Sequence, residues 1–291
     1  MHIGIGSVIG MVAFFIAAPI IGCFLAGLDR KVTAGMQGRV GPKLLQPLYD
    51  VQKLLSKEKA TVNGAQDMYV LLYLIFIILA GLAFFAGANF LLCVFILTLG
   101  SLFLIVAAYS SRSPYADLGA SREIIQVMSY EPMVLLVAIG LFMATGTFRV
   151  EDIIASDVPV IRYLPLIFIG FLYILTIKLR KSPFDISMSH HAHQELVRGL
   201  TTEFSGRTLA LVEISHWYET VMFLGWIGMF TMWAGGWVAV LVTVIVCLVV
   251  WFLEILIDNN FARVKWQAML KSSWLVALIL GGINIVYLLF I

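Results

Sequence analysis

The sequence predicts an all-α polytopic membrane protein: a single integral domain over residues 1–291 with eight transmembrane helices and an amphipathic interfacial helix in the first cytoplasmic loop. Three observations carry this. Hydrophobic residues make up 61% of the chain and charged ones 12%, with a mean hydropathy of +0.99, whereas soluble domains carry about a quarter charged residues. Apolar runs long enough to cross ~30 Å of hydrocarbon recur eight times. Basic residues gather in alternate connections, the pattern that loops on one side of a membrane produce.

The runs fall at about 3–28, 68–87, 90–109, 131–148, 163–180, 213–234, 237–257 and 272–291. The first has no Lys or Arg ahead of it and is too long for a signal-peptide core, so a retained span is expected. Only GAN (87–89) separates the second run from the third, and only AGG (234–236) the sixth from the seventh, so both pairs must be antiparallel hairpins. The long connections, about 29–67, 110–130, 181–212 and 258–271, then share one face. Of the 19 Lys and Arg, all but Arg149 and Arg162 lie there or, for Lys178 and Arg180, at the end of the run that leads into the third of them. This assigns that face to the cytoplasm and both termini to the outside of a cell membrane.

Other classes are excluded by what the chain lacks. A net charge of +2 argues against nucleic acid, and no internal repeat supports an inverted-repeat transporter. Cys23, Cys93 and Cys247 sit singly within apolar runs, with no CxxC pair, so no metal and no iron–sulfur cluster is expected in this chain. Redox chemistry would belong to a partner.

The loops carry the remaining signal. In the first, Gly41 and Pro42 break the chain and Pro47 opens a helix whose Leu48, Val51, Leu54 and Leu55 form one stripe, with Asp50, Gln52, Lys53 and Lys57 largely opposite. It reads either as a basic interfacial anchor or as a docking floor for a partner. In the third, Arg112 precedes a Ser-Pro break, and Arg122 and Glu123 precede Glu131, placed where the fourth run starts. Glu131 is then either an N-terminal cap or a protonatable group at a channel mouth. In the fifth, KSPFDISMSHHAHQELVRGLTTEFSG (181–206), a helix over about 190–203 would align Glu195, Arg198 and Thr202, with Gly206 ending it. One helical turn cannot bring His190, His191 and His193 to one ion, so partner contact and proton handling are the open readings. Beyond it, Glu213 and His216 are i,i+3 neighbours and Glu219 lies inside the sixth run. A charge at mid-membrane costs about 2.5–3.5 kcal/mol, so these groups should face a bundle interior, a partner or water. Glu254 and Asp258, near the end of the seventh run, read as interfacial.

RVGP with LLQPLYDVQKLLSKE (39–42 and 44–58), SREIIQVMSYEP (121–132), KSPFD (181–185) and ELVRGLTTEFSG (195–206) resemble, in order, the membrane subunit of respiratory complex I that forms the quinone chamber. They resemble more closely its counterpart in energy-converting membrane-bound NiFe hydrogenases and formate hydrogenlyases. The resemblance runs from about residue 30 to 210. Two departures from complex I point to the hydrogenase branch: a shorter first loop, and ISMSHHAHQ where complex I has a glutamate-rich run.

The resemblance implies a non-catalytic subunit without a cofactor of its own. The NiFe centre and iron–sulfur clusters would reside in hydrogenase large and small subunits docked on the cytoplasmic side, with antiporter-like subunits beside it in the lipid bilayer. Ferredoxin-driven hydrogen evolution would then drive H+ or Na+ across the membrane. Arg39, Pro42, Gln46, Pro47, Asp50, Lys53 and Glu58 would form the surface against the arm, joined by Arg112, His190 and His191. Glu123, Glu131, Asp185, Glu195 and Glu203 match acids at the entrance of a lateral ion path, to which the polar pattern adds His193, Glu213, His216 and Glu219. The alternatives are a quinone-chamber subunit of complex I and the equivalent subunit of a sulfur-reducing complex.

Overall fold

The computed structural model describes residues 5–58, 63–189 and 194–290, whose regular secondary structure is all helical, with no strand among them. The helices are α1 (Ile5–Met36), α2 (Gln46–Ser56), α3 (Gly64–Phe85), α4 (Phe90–Tyr109), α5 (Pro114–Thr145), α6 (Val150–Ile154), α7 (Pro165–Lys178), α8 (Gly206–Thr231), α9 (Trp237–Asn260), α10 (Trp266–Val276) and α11 (Gly282–Leu289). A π-helical turn, Ala277–Gly281, joins the last two into one rod. Six of these are long and apolar enough to cross a membrane: α1, α3, α4, α5, α9 and the α10–α11 rod. The chain is an integral membrane protein. α8 matches them in length but carries Glu213, His216 and Glu219, while α7 has 14 residues, about 21 Å of helix.

Lipid explains the inside-out distribution of apolar side chains. Ile9, Ile16 and Ile20 of α1, Val244 and Leu248 of α9, and Leu278 are exposed, while Trp226, Phe223 and Phe230 of α8 are fully buried. With no water to satisfy backbone groups in hydrocarbon, closed helical ladders are the stable solution. α8 packs against α1, α2, α3 and α9 and so runs through the interior, carrying its polar residues with it.

Both predicted hairpins form, and the turns opposite the charged loops are knitted together. Asn89 caps α4 through the Leu91 and Leu92 amides, Phe90 N–H donates to Phe148, and Ala234 N–H to Ser156.

Three expectations need correction. The third loop is not a loop over 110–130: α5 starts at Pro114 and continues for 32 residues. Its buried residues Ala116, Gly119, Ala120, Glu123, Gln126, Val127 and Tyr130 recur at helical spacing, so the polar segment packs in the bundle as one face. Glu131 therefore lies mid-helix and caps nothing. The helix proposed over 190–203 also does not form in its described part. Arg198 is left-handed (φ 53°), the Arg198 and Leu200 amides donate back to Ser189 and Ser187, and only Gly199–Thr201 makes a 3-10 turn. Glu195, Arg198 and Thr202 share no helix face. Gly206, finally, starts α8 rather than ending a helix. The folded-back strap lies so close to α5 that a Cβ on Gly119 would overlap the Leu200 backbone nitrogen.

Candidate functional site at the charged end

The charged ends of α1, α8 and α9, with the segment after α7, enclose a cavity of about 600 Å³. Its wall includes Asp29, Arg30, Asp50, Lys178, Arg180, Lys181, Arg198, Glu213, His216, Glu219 and Asp258. Spacing on α8 makes it possible: Glu213, His216, Glu219 and Thr220 lie three to four residues apart, on one stripe facing the opening. Glu219, 7% exposed, is the deepest carboxylate on this stripe. It accepts from Tyr73 Oη at 3.3 Å and meets His216 Nδ1 at 3.2 Å, with the imidazole edge-on to Tyr73. A recess of about 190 Å³ shares Arg30, Asp50, Arg198, Glu213 and Trp217 and extends to Lys53 of α2 and to Lys57 just past its end.

α2 itself is seated by apolar contact, Val51 and Leu54 packing on Cys23, Ala210 and Trp217. Asp50 then reaches Arg30 at 2.6 Å and accepts from Gln46 at 3.0 Å. Partial burial would raise the Asp50 pKa, but these hydrogen bonds and the two charges of Arg30 and Lys53 hold it below the ordinary value.

The segment after α7 is bolted down by ion pairs. Arg180, in the left-handed region (φ 58°), reaches Glu123 of α5 at 3.3 Å, and the Ser187 hydroxyl donates to the same carboxylate. Burial works against the guanidinium charge, but Glu123 outweighs it and drives the Arg180 pKa up. Lys181 bridges Asp29 of α1 at 2.6 Å and Asp258 of α9 at 3.7 Å. Its pKa too is raised, desolvation being overcome by the two aspartates. Asp258 also accepts from the Ser182 amide at 2.5 Å. Beside this, Asp185 is buried and takes Arg263 at 3.0 Å and the Glu195 amide at 3.1 Å, while Glu195 pairs with Arg122 at 2.5 Å and Arg263 at 3.2 Å.

The expected ion-path residues thus divide. Glu213, His216 and Glu219 line the cavity; Glu123 and Asp185 are buried partners of Arg180 and Arg263; Glu195 is a surface member of the second network. Glu131 lies apart from the large cavity, accepting from Thr98 Oγ1 at 3.2 Å, and Glu203 is half-buried just ahead of α8. Of the expected docking residues, Arg39, Pro42, Lys53, Glu58 and Arg112 are exposed, Gln46 and Asp50 half-buried, and Pro47 is buried under α2. His190, His191 and His193 lie outside the described residues. Among the described residues no group of His, Cys, Asp and Glu could hold a metal ion.

Asp29, Lys178, Arg180 and Lys181 were missed by the sequence, which used the basic ones only to orient loops, and Asp258, read as interfacial, pairs with Lys181 at the cavity wall. Glu254 was read as interfacial, but it is fully buried with neither carboxylate oxygen hydrogen-bonded among the described residues. A usable signal existed: three cations closing one apolar run face lone acids at the same-side ends of two others.

Residues 9–289 match the family model for NADH dehydrogenase. The chain belongs to this family. Among its relatives, the H subunit of the NADH-quinone oxidoreductase from Geobacillus kaustophilus (strain HTA426) is 31% identical over 89% of this chain and 85% of that protein. Its namesake from Anoxybacillus flavithermus (strain DSM 21510 / WK1) is 32% identical over 88% and 85%. A chain in the structure of the membrane-bound sulfane sulfur reductase, an archaeal respiratory membrane complex, superimposes with a TM-score of 0.85, covering 98% of this chain and 100% of that one. At 23% identity that likeness establishes a shared fold. For this member of the NADH dehydrogenase family, the fold and the charged cavity therefore come together in one bundle.

Proposed function

We propose that this protein is the membrane-embedded coupling subunit of a multisubunit oxidoreductase, linking electron transfer in a peripheral arm to ion movement through the bilayer. The observation that carries the proposal is the 600 Å³ cavity walled by charge and ending at Glu219 inside the bundle. A charge brought up by a neighbouring arm acts on Glu213, His216 and Glu219 through the shared, partly desolvated cavity, where it is weakly screened. In this reading α7 and α8 complete eight crossings, the charged end faces the cytoplasm, and both termini lie outside. The α2 face and the exposed Arg39, Pro42, Lys53, Glu58 and Arg112 form the docking surface, to which the sequence adds His190 and His191, outside the described residues. Glu123, Asp185, Glu195 and Glu203 flank this route, Glu131 lies deeper in α5, and His193, outside the described residues, is assigned to the ion path from the sequence alone.

The ISMSHHAHQ segment and the short first loop support a hydrogenase arm of the ferredoxin-driven type, holding the NiFe centre and iron–sulfur clusters in its large and small subunits, with antiporter-like subunits as membrane neighbours. A quinone-binding reading is favoured by the names of the curated relatives. The charged lining of the cavity weighs against it, since binding pockets for apolar ligands are walled mainly by apolar side chains.

The test uses membrane vesicles containing the whole complex, with reduced methyl viologen as electron donor. Glu219→Gln is expected to lower ions taken up per electron by tenfold or more while the arm still co-purifies. Unaltered uptake in that variant sinks the proposal, and tight inhibition by quinone analogues would favour the quinone reading.

A further inference from the structure

We propose that Trp274 is a positioning residue for Glu131, its indole N–H standing in for the backbone amide that Pro132 lacks; the functional part of this rests on the coupling role given above. Pro132 lies inside α5, where a proline removes one rung of the helix ladder and its ring presses on the carbonyl four residues earlier. That carbonyl belongs to Met128. In hydrocarbon no water takes up a freed backbone group, so a proline is tolerated there where a neighbour supplies the missing partner. The neighbour here is α10: Trp274 Nε1 donates to Met128 O at 3.0 Å.

Met128 is 52% exposed and Trp274 47%, so the bond forms on the outer flank of the bundle. An indole that only marks the headgroup level keeps its polar edge for that layer, whereas this one gives its N–H to a helix carbonyl near the middle of the 32-residue α5. Its seat is firm. Tyr173 Oη of α7 and Ser272 Oγ share a hydrogen bond of 2.6 Å two residues before it, and beyond the π turn Asn284 ties the same rod to the start of α7. The rod meets α5 again past the break, where a Cβ on Gly281 would come within 2.6 Å of Leu136 Cδ1. One strut thus holds both halves of α5.

Glu131 is the residue that the break governs. The position before a proline is crowded by the proline ring, which pushes it from helical towards extended backbone. Glu131 is helical all the same, so its surroundings hold it against that preference. Its carboxylate accepts from Thr98 Oγ1 of α4 at 3.2 Å. Without the indole the Met128 carbonyl is stranded and the two halves of α5 are free to change their angle. Glu131, at the joint, is then the first residue to relax towards extended backbone and to leave Thr98.

The experiment uses the same vesicles, with co-purification of the arm as the measure of assembly. It compares Trp274→Phe, which keeps an aromatic ring but no donor, with the double change Trp274→Phe and Pro132→Ala, whose new backbone amide can reach the Met128 carbonyl. Trp274→Phe is expected to lower ions taken up per electron roughly tenfold, because a reacting group misplaced by about 1 Å can lose ~10² in rate. The double variant should return to within about twofold of the parent. Parent-like uptake in Trp274→Phe, or a double variant no better than Trp274→Phe, overturns the inference, since an amide repairs a lost hydrogen bond but not lost packing. In Thr98→Val, where Glu131 has already lost its hydroxyl partner, adding Trp274→Phe should cost at most about twofold more; a full further loss overturns the action through Glu131. Should Trp274→Phe not assemble, the double variant decides, and both assembly and uptake must return with the amide. Glu219→Gln is run alongside. Its unaltered uptake, with a loss in Trp274→Phe that Pro132→Ala repairs, sinks the cavity reading and supports this one; a loss in Glu219→Gln with parent-like uptake in Trp274→Phe refutes only the role of Trp274.

Discussion

Replacing Asn284 by Ala should destabilise the bundle far from the charged cavity. α7 begins at Pro165, which has no N–H, so the first-turn donors left to satisfy are those of Leu166 and Ile167. Both go to one atom, Asn284 Oδ1 of α11, at 2.9 and 3.1 Å, and Asn284 Nδ2 donates to Tyr163 O at 2.9 Å. The side chain is 1% exposed, so no water is at hand to replace it. Alanine would strand two donors and one acceptor, each costing about 1–3 kcal/mol when buried. Since Leu166 and Tyr163 are themselves half-buried, the total expected is about 3–5 kcal/mol. Asn284→Asp keeps the acceptor and places a negative charge at a helix N-terminus, so it should recover more than half of that. The measurement is equilibrium unfolding of the purified protein in mixed micelles with increasing SDS, followed by tryptophan fluorescence. A loss below about 1 kcal/mol in Asn284→Ala would refute the idea that α7 is capped from α11.

Two further outcomes follow from the ion pairs. Arg180→Ala leaves Glu123 buried without its partner and should cost about 3–5 kcal/mol in the same assay, while the double change with Glu123→Gln should recover part of it. Asp50 is held below its ordinary pKa of 3.8, so its bond to Arg30 is fully present above that pH and fades as the pH falls through the folded-state value. Hydrogen exchange of α2 should accordingly speed up below pH 3.8 in the parent, and Asp50→Asn should show the faster exchange already at pH 6. Exchange in α2 that ignores both changes would mean that Val51 and Leu54 alone hold the helix.

The apolar runs, the GAN and AGG hairpins and the α8 polar stripe were legible from sequence because each depends on local facts. A bilayer accepts backbone only as closed helices, a three-residue connection forces antiparallel neighbours, and Glu213, His216 and Glu219 share a face by helical period alone. The same locality misled at 110–130 and 190–203. Polarity placed 110–130 in a connection, yet Glu123 and Gln126 are buried in α5, and helical spacing around Glu195 was overridden by backbone bonds to Ser187 and Ser189.

Sequence by itself determined that the chain inhabits a membrane and that its charge collects at one end. Only the tertiary structure decided which charges meet. Lys181 finds Asp29 across 152 residues and Arg180 finds Glu123 across 57, pairings set by where helices α1, α5 and α7 converge. The strength of such contacts depends on distance in space and on the water excluded around them, and neither quantity is written in the order of residues along the chain.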